Sequence, residues 1–245
     1  MSVFAEDHYN IHNNLSIDIE TNLLTLMKML DNIDKTKDVT VNFISSWFVY
    51  GKNNNIPFKE DESICNPTGF YSITKLAAEK MLICFCETFN IKYRIFRLAN
   101  VLGIGDGKIS KKKNALQYLI KEAVKNQNLP LYYGGQVLRD YIHVDDVCSA
   151  IKLCTDESNY NQVINIGSGT PYKLLDIIVS AKEYAKSTSN IVKINPTGFH
   201  NIVQVRNSYL DITKLLDIGF THKFTISDTI RELVDFYKTK EGNNE

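Results

Sequence analysis

The sequence predicts an α/β fold built on a parallel sheet, because a helix followed by a buried strand occurs twice. Residues 17–33 place apolar side chains at helical spacing, and residues 39–46 follow as a β-branched run of strand length. Residues 71–90 then predict a long helix, and residues 93–103 predict a second buried strand. Helices that alternate with continuously apolar strands are typical of parallel sheets covered on both faces.

The alternation becomes less regular after Gly103, which marks a candidate domain boundary. Beyond it, Thr170 and Pro171 have the residue types of a helix N-cap and first helical position. The segments predicted beyond the boundary are a helix at 114–126, a strand and turn at 130–135, a strand, glycine loop and helix at 162–185, and a final helix at 226–238.

Composition indicates an ordinary globular protein without a polyanionic partner. Of 245 residues, 44% are apolar, and 28 basic side chains balance 28 acidic ones, so neither nucleic acid nor an anionic membrane is an expected partner. No apolar run approaches the roughly 18 residues needed to span a bilayer, and no signal peptide is predicted. Five scattered cysteines fit a reducing compartment, so we expect a cytoplasmic location.

Tyr71 and Lys75 form the most informative local pattern, because residues four apart lie one turn above the other on one helix face. Tyrosine ordinarily has a pKa of about 10, and a nearby cation favours its ionised form. Lys75 is therefore expected to make Tyr71 an acid and base usable near neutral pH. By itself, this spacing also occurs by chance between two solvated helix residues.

Ser45 and Ser46 end the preceding strand, at the edge where open α/β sheets bind ligands, and Tyr71 follows Ser46 by 25 residues. This arrangement resembles the extended short-chain dehydrogenases of the NAD-dependent epimerase/dehydratase family, whose Ser-Ser/Thr-x-x-Val-Tyr-Gly and Tyr-x-x-x-Lys motifs have the same spacing. Further motifs follow in the family's order: Arg97-Leu-Ala-Asn100-Val-Leu-Gly103, Arg139-Asp-Tyr-Ile-His-Val-Asp-Asp-Val147, Asn165-Ile-Gly-Ser-Gly169 and Leu210-Asp-Ile-Thr-Lys214 with Gly219-Phe220.

The resemblance implies a role for each matching residue. Tyr71 becomes the acid and base on a sugar hydroxyl or ketone, and Ser46 hydrogen-bonds that oxygen. Lys75 holds the nicotinamide ribose of NAD or NADP and lowers the Tyr71 pKa, and Ser45 joins Tyr71 and Lys75 in contacting the cofactor. The substrate, a nucleotide-activated sugar, is expected to contact Asn100, Asn114, Tyr133, Arg139, Tyr141 and, less strongly supported, Arg206.

Both arginines, Arg139 and Arg206, have alternative interpretations. A guanidinium can clamp phosphate oxygens through two hydrogen bonds, which favours Arg139 as a ligand of the diphosphate. A surface ion pair between Arg139 and Asp140 is the alternative. Arg206 fits a solvated surface position as well as a binding site.

The family's glycine-rich Gly-x-x-Gly-x-x-Gly turn, which binds the cofactor pyrophosphate, does not occur in these 245 residues. The resemblance therefore predicts an incomplete Rossmann-type doubly wound parallel sheet in residues 1–103. Residues 104–245 are expected to form mainly a smaller C-terminal α/β substrate-binding domain, with segments returning to the first. Either the chain is a gene fragment or something else completes it, and NAD or NADP binding is expected to be impaired.

Trp47 and Phe48 reduce the number of reactions that the resemblance allows, because dehydratases and decarboxylases of this family carry carboxylates at the corresponding positions. Neither aromatic side chain exchanges a proton at neutral pH, which leaves a 4-epimerase or a 4-ketoreductase. One rival is a non-catalytic remnant that binds a nucleotide sugar or a partner protein. Another rival is a purely structural subunit that uses helices 17–33 and 71–90 as a dimer interface. Independently of this alternative, the resemblance implies a homodimer through the same two helices.

Four other features are discounted. Gly103-x-Gly105-x-Gly107 lacks dinucleotide-loop spacing and is interpreted as a hinge loop. Asp145 and Asp146 precede a helical run and are expected to be N-cap and first-turn acids. His8 and His12 lack a third ligand, so no metal is predicted, and the run Lys111, Lys112 and Lys113 fits a solvated loop better than a diphosphate site.

Overall fold

The computed structural model describes residues 14, 16–52, 55–105, 109–110, 114–156, 159–196 and 198–242. A π-helical segment, Ile19–Leu24, leads into the first α-helix. The elements are α1 (Thr25–Asp31), β1 (Thr40–Ser46), α2 (Phe70–Thr88), β2 (Lys92–Leu98), β3 (Asn100–Leu102), α3 (Ala115–Val124), β4 (Leu129–Tyr132), β5 (Leu138–Arg139), β6 (Tyr141–His143), α4 (Val144–Asp156), β7 (Gln162–Ile166), β8 (Tyr172–Lys173), α5 (Leu174–Ala185), β9 (Ile191–Ile194), α6 (Gly198–Val203), α7 (Thr213–Asp217) and α8 (Ile226–Gly242).

The predicted α/β class with a parallel sheet is confirmed. Strands β1, β2 and β7 form a parallel sheet in the order β1-β2-β7, with Thr40 opposite Lys92 and Arg94 opposite Gln162. The central strand β2 is buried from Tyr93 to Arg97, as expected for a parallel strand covered on both faces. Strands β3 with β6 and β4 with β9 form further parallel pairs.

The single strand predicted over 93–103 is instead two strands, because the chain changes partner at Ala99. The Ala99 N–H donates to the Ile166 carbonyl of β7, whereas the next N–H, of Asn100, donates to the Asp140 carbonyl beside β6. The apolar run continues through the break, so its composition gave no signal of this change.

The predicted helix start at Thr170 is also wrong, since α5 begins at Leu174. Tyr172 and Lys173 form β8 and pair antiparallel with β5. A tertiary pairing thus overrides the local preference of Pro171 for a first helical position.

Apolar side chains of the described residues form three clusters, and the largest joins Trp47 and Phe96 to Ile142 and Leu215 across the predicted boundary at Gly103. A second cluster packs α1 and α2 against β1 and β2, and includes Leu30, Leu82 and Ile95. The third packs α3, α5 and α8 together around Ile120 and Leu233. Strand β7, although late in the chain, joins the sheet of β1 and β2; the division at residues 103 and 104 stays a prediction.

The first turn of α4 contains both Asp145 and Asp146, as predicted for first-turn acids. Neither is the N-cap, because the helix already begins at Val144. Asp146 is fully buried and accepts the backbone N–H groups of Lys223 and Phe224, so it ties α4 to the loop before α8. His8, His12, Gly107 and the lysine run 111–113 lie outside the described residues.

Candidate active site

Tyr71 and Lys75 occupy the first turns of α2, whose start is fixed by reciprocal bonds between Gly69 and Ser72. The Gly69 N–H donates to Ser72 Oγ at 3.2 Å, and that hydroxyl donates to the Gly69 carbonyl at 2.9 Å. The helix therefore begins at Phe70, and its buried face carries Tyr71 and Lys75 against the end of β1.

The structure brings Tyr71 and Ser46 together. The Tyr71 ring is 8% exposed and packs edge-on against Phe48, with 6.3 Å between ring centroids. Burial raises the Tyr71 pKa to about 12, a hydrogen bond with Ser46 acts to lower it, and the charge of Asp18 acts to raise it. The predicted lowering of the Tyr71 pKa by Lys75 stays a prediction.

Lys75 is directed at the strand instead of the phenol. Its Nζ donates to the Ile44 carbonyl at 3.0 Å and lies 4.9 Å from the centroid of the Phe43 ring. Burial lowers the Lys75 pKa to about 8, while Glu79 raises it. Lys75 thus supplies a partly desolvated ammonium at the carboxyl end of β1.

Ser45 contacts Glu79 in this structure, and its predicted contact with a cofactor stays a prediction. Its side chain is buried, and its hydroxyl donates to Glu79 Oε1 at 2.5 Å. Alternation along a strand sends neighbouring side chains to opposite faces, so Ser46 and Ser45 cannot share one role. Sequence reasoning missed Glu79, although its place four residues after Lys75 puts it on the same helix face.

Asn22 is a second residue that sequence reasoning missed. It lies buried in the π-helical segment, and its Nδ2 donates to Thr74 Oγ1 of α2 at 3.0 Å. Single π-helical turns are rare and are often found at functional sites. Asn22 is a polar residue on the apolar side of the predicted helix 17–33, and this pattern could have indicated a buried polar contact.

Arg139 lies near the residue that follows Ser46, with its guanidinium 5.7 Å from the Trp47 ring centroid. It donates to the carbonyls of Val205 and Arg206 at 2.7 Å each, and burial lowers its pKa. No ion pair to Arg139 is present among the described residues. The alternative pairing with Asp140 is therefore wrong.

Asp140 has other partners, which explain why it leaves Arg139 free of a carboxylate. It accepts Ser168 N–H and Oγ–H at 2.8 and 2.7 Å, and the N–H groups of Gly169 and Leu210 at 3.2 Å each. Burial raises the Asp140 pKa, and these hydrogen bonds act to lower it. Asp140 is a structural link between three segments.

The remaining predicted substrate residues are spread over the C-terminal half. Arg206 is exposed and stacks 5.4 Å from the Tyr133 ring centroid, while the Tyr133 hydroxyl donates to Asn201 Oδ1 at 2.6 Å. Asn100 Nδ2 donates to the Asp140 carbonyl at 2.8 Å, and Asp140 follows Arg139 in the chain.

Tyr141 and Asn114 have different surroundings. Tyr141 is buried beside Arg139, and it lines a cavity of about 210 Å³ that His143 and His222 also line. Asn114 lies at the N-cap of α3, where its Nδ2 donates to Gln117 Oε1 at 3.1 Å. The structure thus groups Arg139 with Tyr141 and Tyr133 with Arg206, whereas the Asn114 side chain contacts Gln117 of its own helix.

The parallel α/β fold, with a serine at a strand end and a Tyr-x-x-x-Lys helix beside it, defines a protein of the short-chain dehydrogenase type. Residues 5–167 match the family model of the NAD dependent epimerase/dehydratase family. The chain belongs to this family.

Individual proteins agree with that assignment. A putative UDP-glucose 4-epimerase of Methanocaldococcus jannaschii is 26% identical over 218 residues, which are 89% of this chain and 67% of that protein. The structure of Thermotoga maritima UDP-glucose 4-epimerase with UDP-glucose superposes with a TM-score of 0.88, at 23% identity, over 98% of this chain and 76% of that one. The structure of Thermus thermophilus UDP-glucose 4-epimerase in complex with NAD superposes with a TM-score of 0.83, at 20% identity, over 97% of this chain and 76% of that one.

Two kinds of feature are absent from the described ranges of the chain. No helix there is long and apolar enough to cross a membrane. In the same ranges, no three His, Cys, Asp or Glu side chains are grouped so as to hold a metal ion.

Proposed function

We propose that this chain is an NAD- or NADP-dependent enzyme that epimerises or reduces one carbon of a nucleotide-activated sugar. The buried contact between the Tyr71 phenol and Ser46, at the carboxyl end of β1, is the observation that carries the proposal. Family membership and the UDP-glucose bound by the Thermotoga maritima enzyme support the substrate class. The NAD in the Thermus thermophilus complex supports the cofactor class.

Tyr71 and Ser46 are proposed to act on the same sugar oxygen. With a pKa of about 12, Tyr71 is protonated at neutral pH and is ready to donate its proton to a ketone oxygen. The Ser46 hydroxyl hydrogen-bonds the same oxygen and lowers the cost of charge on the phenol. The buried Lys75 ammonium adds positive charge at this strand end.

A nicotinamide cofactor, when bound, supplies the hydride chemistry. Lys75 and Tyr71 fit its nicotinamide end, because both place polar atoms near the carboxyl end of a parallel strand. The 245 residues contain no glycine-rich turn for the pyrophosphate. The fit is therefore limited to the nicotinamide end.

Trp47 and Phe48 support epimerisation or reduction over 4,6-dehydration. Their rings stack with 4.0 Å between centroids, directly after Ser46. Neither has a group that moves a proton at neutral pH. An elimination needs a separate acid and base, and these two positions provide neither.

Product analysis tests the proposal. The chain, alone and fused to the glycine-rich N-terminal segment of a family member that has one, is incubated with NAD or NADP and UDP-, dTDP-, CDP- or GDP-hexoses or their 4-keto forms. We expect NMR to show an epimer or a reduced sugar with one of them. A 4-keto-6-deoxy product, or no turnover by a folded fusion on any substrate, would contradict the proposal.

We expect the 245-residue chain by itself to bind NAD and NADP weakly or not at all. The backbone amides and helix dipole that hold a dinucleotide pyrophosphate are not encoded in these residues. Isothermal titration calorimetry measures this directly. Micromolar affinity for either dinucleotide would show that another element of the chain replaces the glycine-rich turn.

Arg139→Ala is expected to weaken UDP or dTDP binding by about 2 kcal/mol, roughly 30-fold, because a forked guanidinium contact to phosphate is lost. Calorimetry on folded protein measures the change. Arg139→Lys keeps the charge without the fork and should recover only part of the affinity. Arg231→Ala removes an exposed arginine near Tyr184 and serves as the matched control; unchanged affinity in Arg139→Ala removes Arg139 from the site.

A further inference from the structure

Glu79 extends the line of functional side chains on α2. It follows Lys75 by four residues and Tyr71 by eight, so the three lie on one helix face, on successive turns. The Glu79 side chain is 1% exposed, which is unusual for a carboxylate unless it is paired. Its partners therefore decide what it does.

Two strands supply those partners. Arg97 of β2 binds both carboxylate oxygens, with Nε 3.1 Å from Oε1 and Nη2 2.7 Å from Oε2. Ser45 of β1 donates its hydroxyl to the same Oε1. Glu79 thus fastens α2 to both strands, directly below the turn that carries Lys75.

The bond from Ser45 also fixes the acceptor of Lys75. Ile44, whose carbonyl receives the Lys75 ammonium, is the residue before Ser45. A forked, charge-assisted contact to Arg97 holds Glu79 in one orientation. The carboxylate therefore links the helix that carries Lys75 to the strand that carries its hydrogen-bond acceptor.

Charge provides a second link between Glu79 and Lys75. The Lys75 ammonium donates to a neutral carbonyl, and burial lowers its pKa to about 8. Glu79 is the charged group that acts in the opposite direction. The other titratable groups that face this buried region are Asp18 and Tyr71 towards the π-helical segment, and Tyr50, Cys65 and Arg97 around the carboxylate.

We propose that Glu79 is a positioning residue of the catalytic set, whose buried carboxylate keeps Lys75 in its charged form at the carboxyl end of β1. The inference rests on the proposed function, in which a charged Lys75 ammonium acts near Tyr71. It assigns Ser45 to this support and not to the cofactor. Glu79 itself touches no reacting atom.

The test measures the Lys75 ammonium by NMR in the 245-residue chain with ¹⁵N-labelled lysine, assigned by the loss of its signal in Lys75→Met. In Glu79→Gln, which keeps an oxygen for Ser45 and Arg97, we expect the Lys75 pKa to fall by about one unit or more. Glu79→Asp, which keeps the charge, should restore most of the native value. Glu87→Gln removes a carboxylate from an exposed part of the same helix and should change nothing.

Each outcome decides the proposal. An unchanged Lys75 pKa in folded Glu79→Gln would overturn it, as would an equal fall in Glu87→Gln. Where Glu79→Gln does not fold, the double variant Glu79→Leu with Arg97→Met removes both charges, and a smaller fall is expected because the lost cation partly offsets the lost carboxylate. If neither folds, Glu79 is a stability residue and the proposal is wrong. The titration needs neither cofactor nor sugar, so failure of the proposed enzymatic activity leaves it intact.

Discussion

Tyr71→Phe is expected to lower turnover by about 10²- to 10⁴-fold, the range typical of a lost general acid or base. Phenylalanine preserves the ring that packs against Phe48 but deletes the hydroxyl that contacts Ser46. The buried surroundings supply no equivalent group in the described residues, since Lys75 is bound to the Ile44 carbonyl. Turnover is measured on the fusion that carries a glycine-rich segment, with the substrate that gives a product.

Two variants separate chemistry from folding in this experiment. Ser46→Ala should lower turnover less, because it removes a hydrogen bond and not the proton-transfer group. Tyr132→Phe deletes a hydroxyl from β4, away from α2, and should leave turnover unchanged. A Tyr71→Phe enzyme that keeps most of its activity would remove Tyr71 from the mechanism.

Arg97→Met is expected to destabilise the fold by about 3–5 kcal/mol, because it leaves the Glu79 carboxylate buried without its cation. The two side chains are only 5% and 1% exposed, so solvent cannot replace the lost partner. Since whole domains are stable by only about 5–15 kcal/mol, the change should be visible as a large fall in the urea midpoint.

An exposed pair provides the matched control for this measurement. The charged groups of Lys59 and Glu62 lie 3.0 Å apart with side chains 45% and 71% exposed, so Lys59→Met should leave the urea midpoint almost unchanged. The double variant Glu79→Leu with Arg97→Met should recover much of the loss, because no unpaired charge remains. Equal costs at Arg97 and Lys59 would show that the Arg97 pair contributes little.

The sequence predicted the elements whose side chains follow one period throughout. Strand β1, helix α2 and helix α3 lie within two residues of their expected ends, and the parallel pairing followed from their alternation. Predictions failed where a distant partner decides the local structure. The break at Ala99 depends on Asp140, and the delayed start of α5 depends on β5, and neither partner is adjacent in the chain.

The candidate site shows the same limit. Motif spacing located Ser46, Tyr71 and Lys75, because they lie at the end of one strand and the start of the next helix. It did not show that Ser45 turns towards Glu79, that Lys75 turns towards Ile44, or that Arg139 faces carbonyls after residue 204. Those directions depend on burial and on partners up to 67 residues away, such as the Arg206 carbonyl bound by Arg139.

The central claim is that chemistry takes place at one hydroxyl-bearing carbon of a nucleotide sugar, with Tyr71 exchanging a proton only with its oxygen. Running the reaction of the glycine-rich fusion in D₂O and analysing the product by mass spectrometry and NMR tests this claim directly. We predict that no solvent deuterium enters a carbon position, because the proton moved by Tyr71 stays on oxygen. Deuterium on a neighbouring carbon of the product, absent from a control without enzyme, would indicate elimination or enolisation and contradict the account.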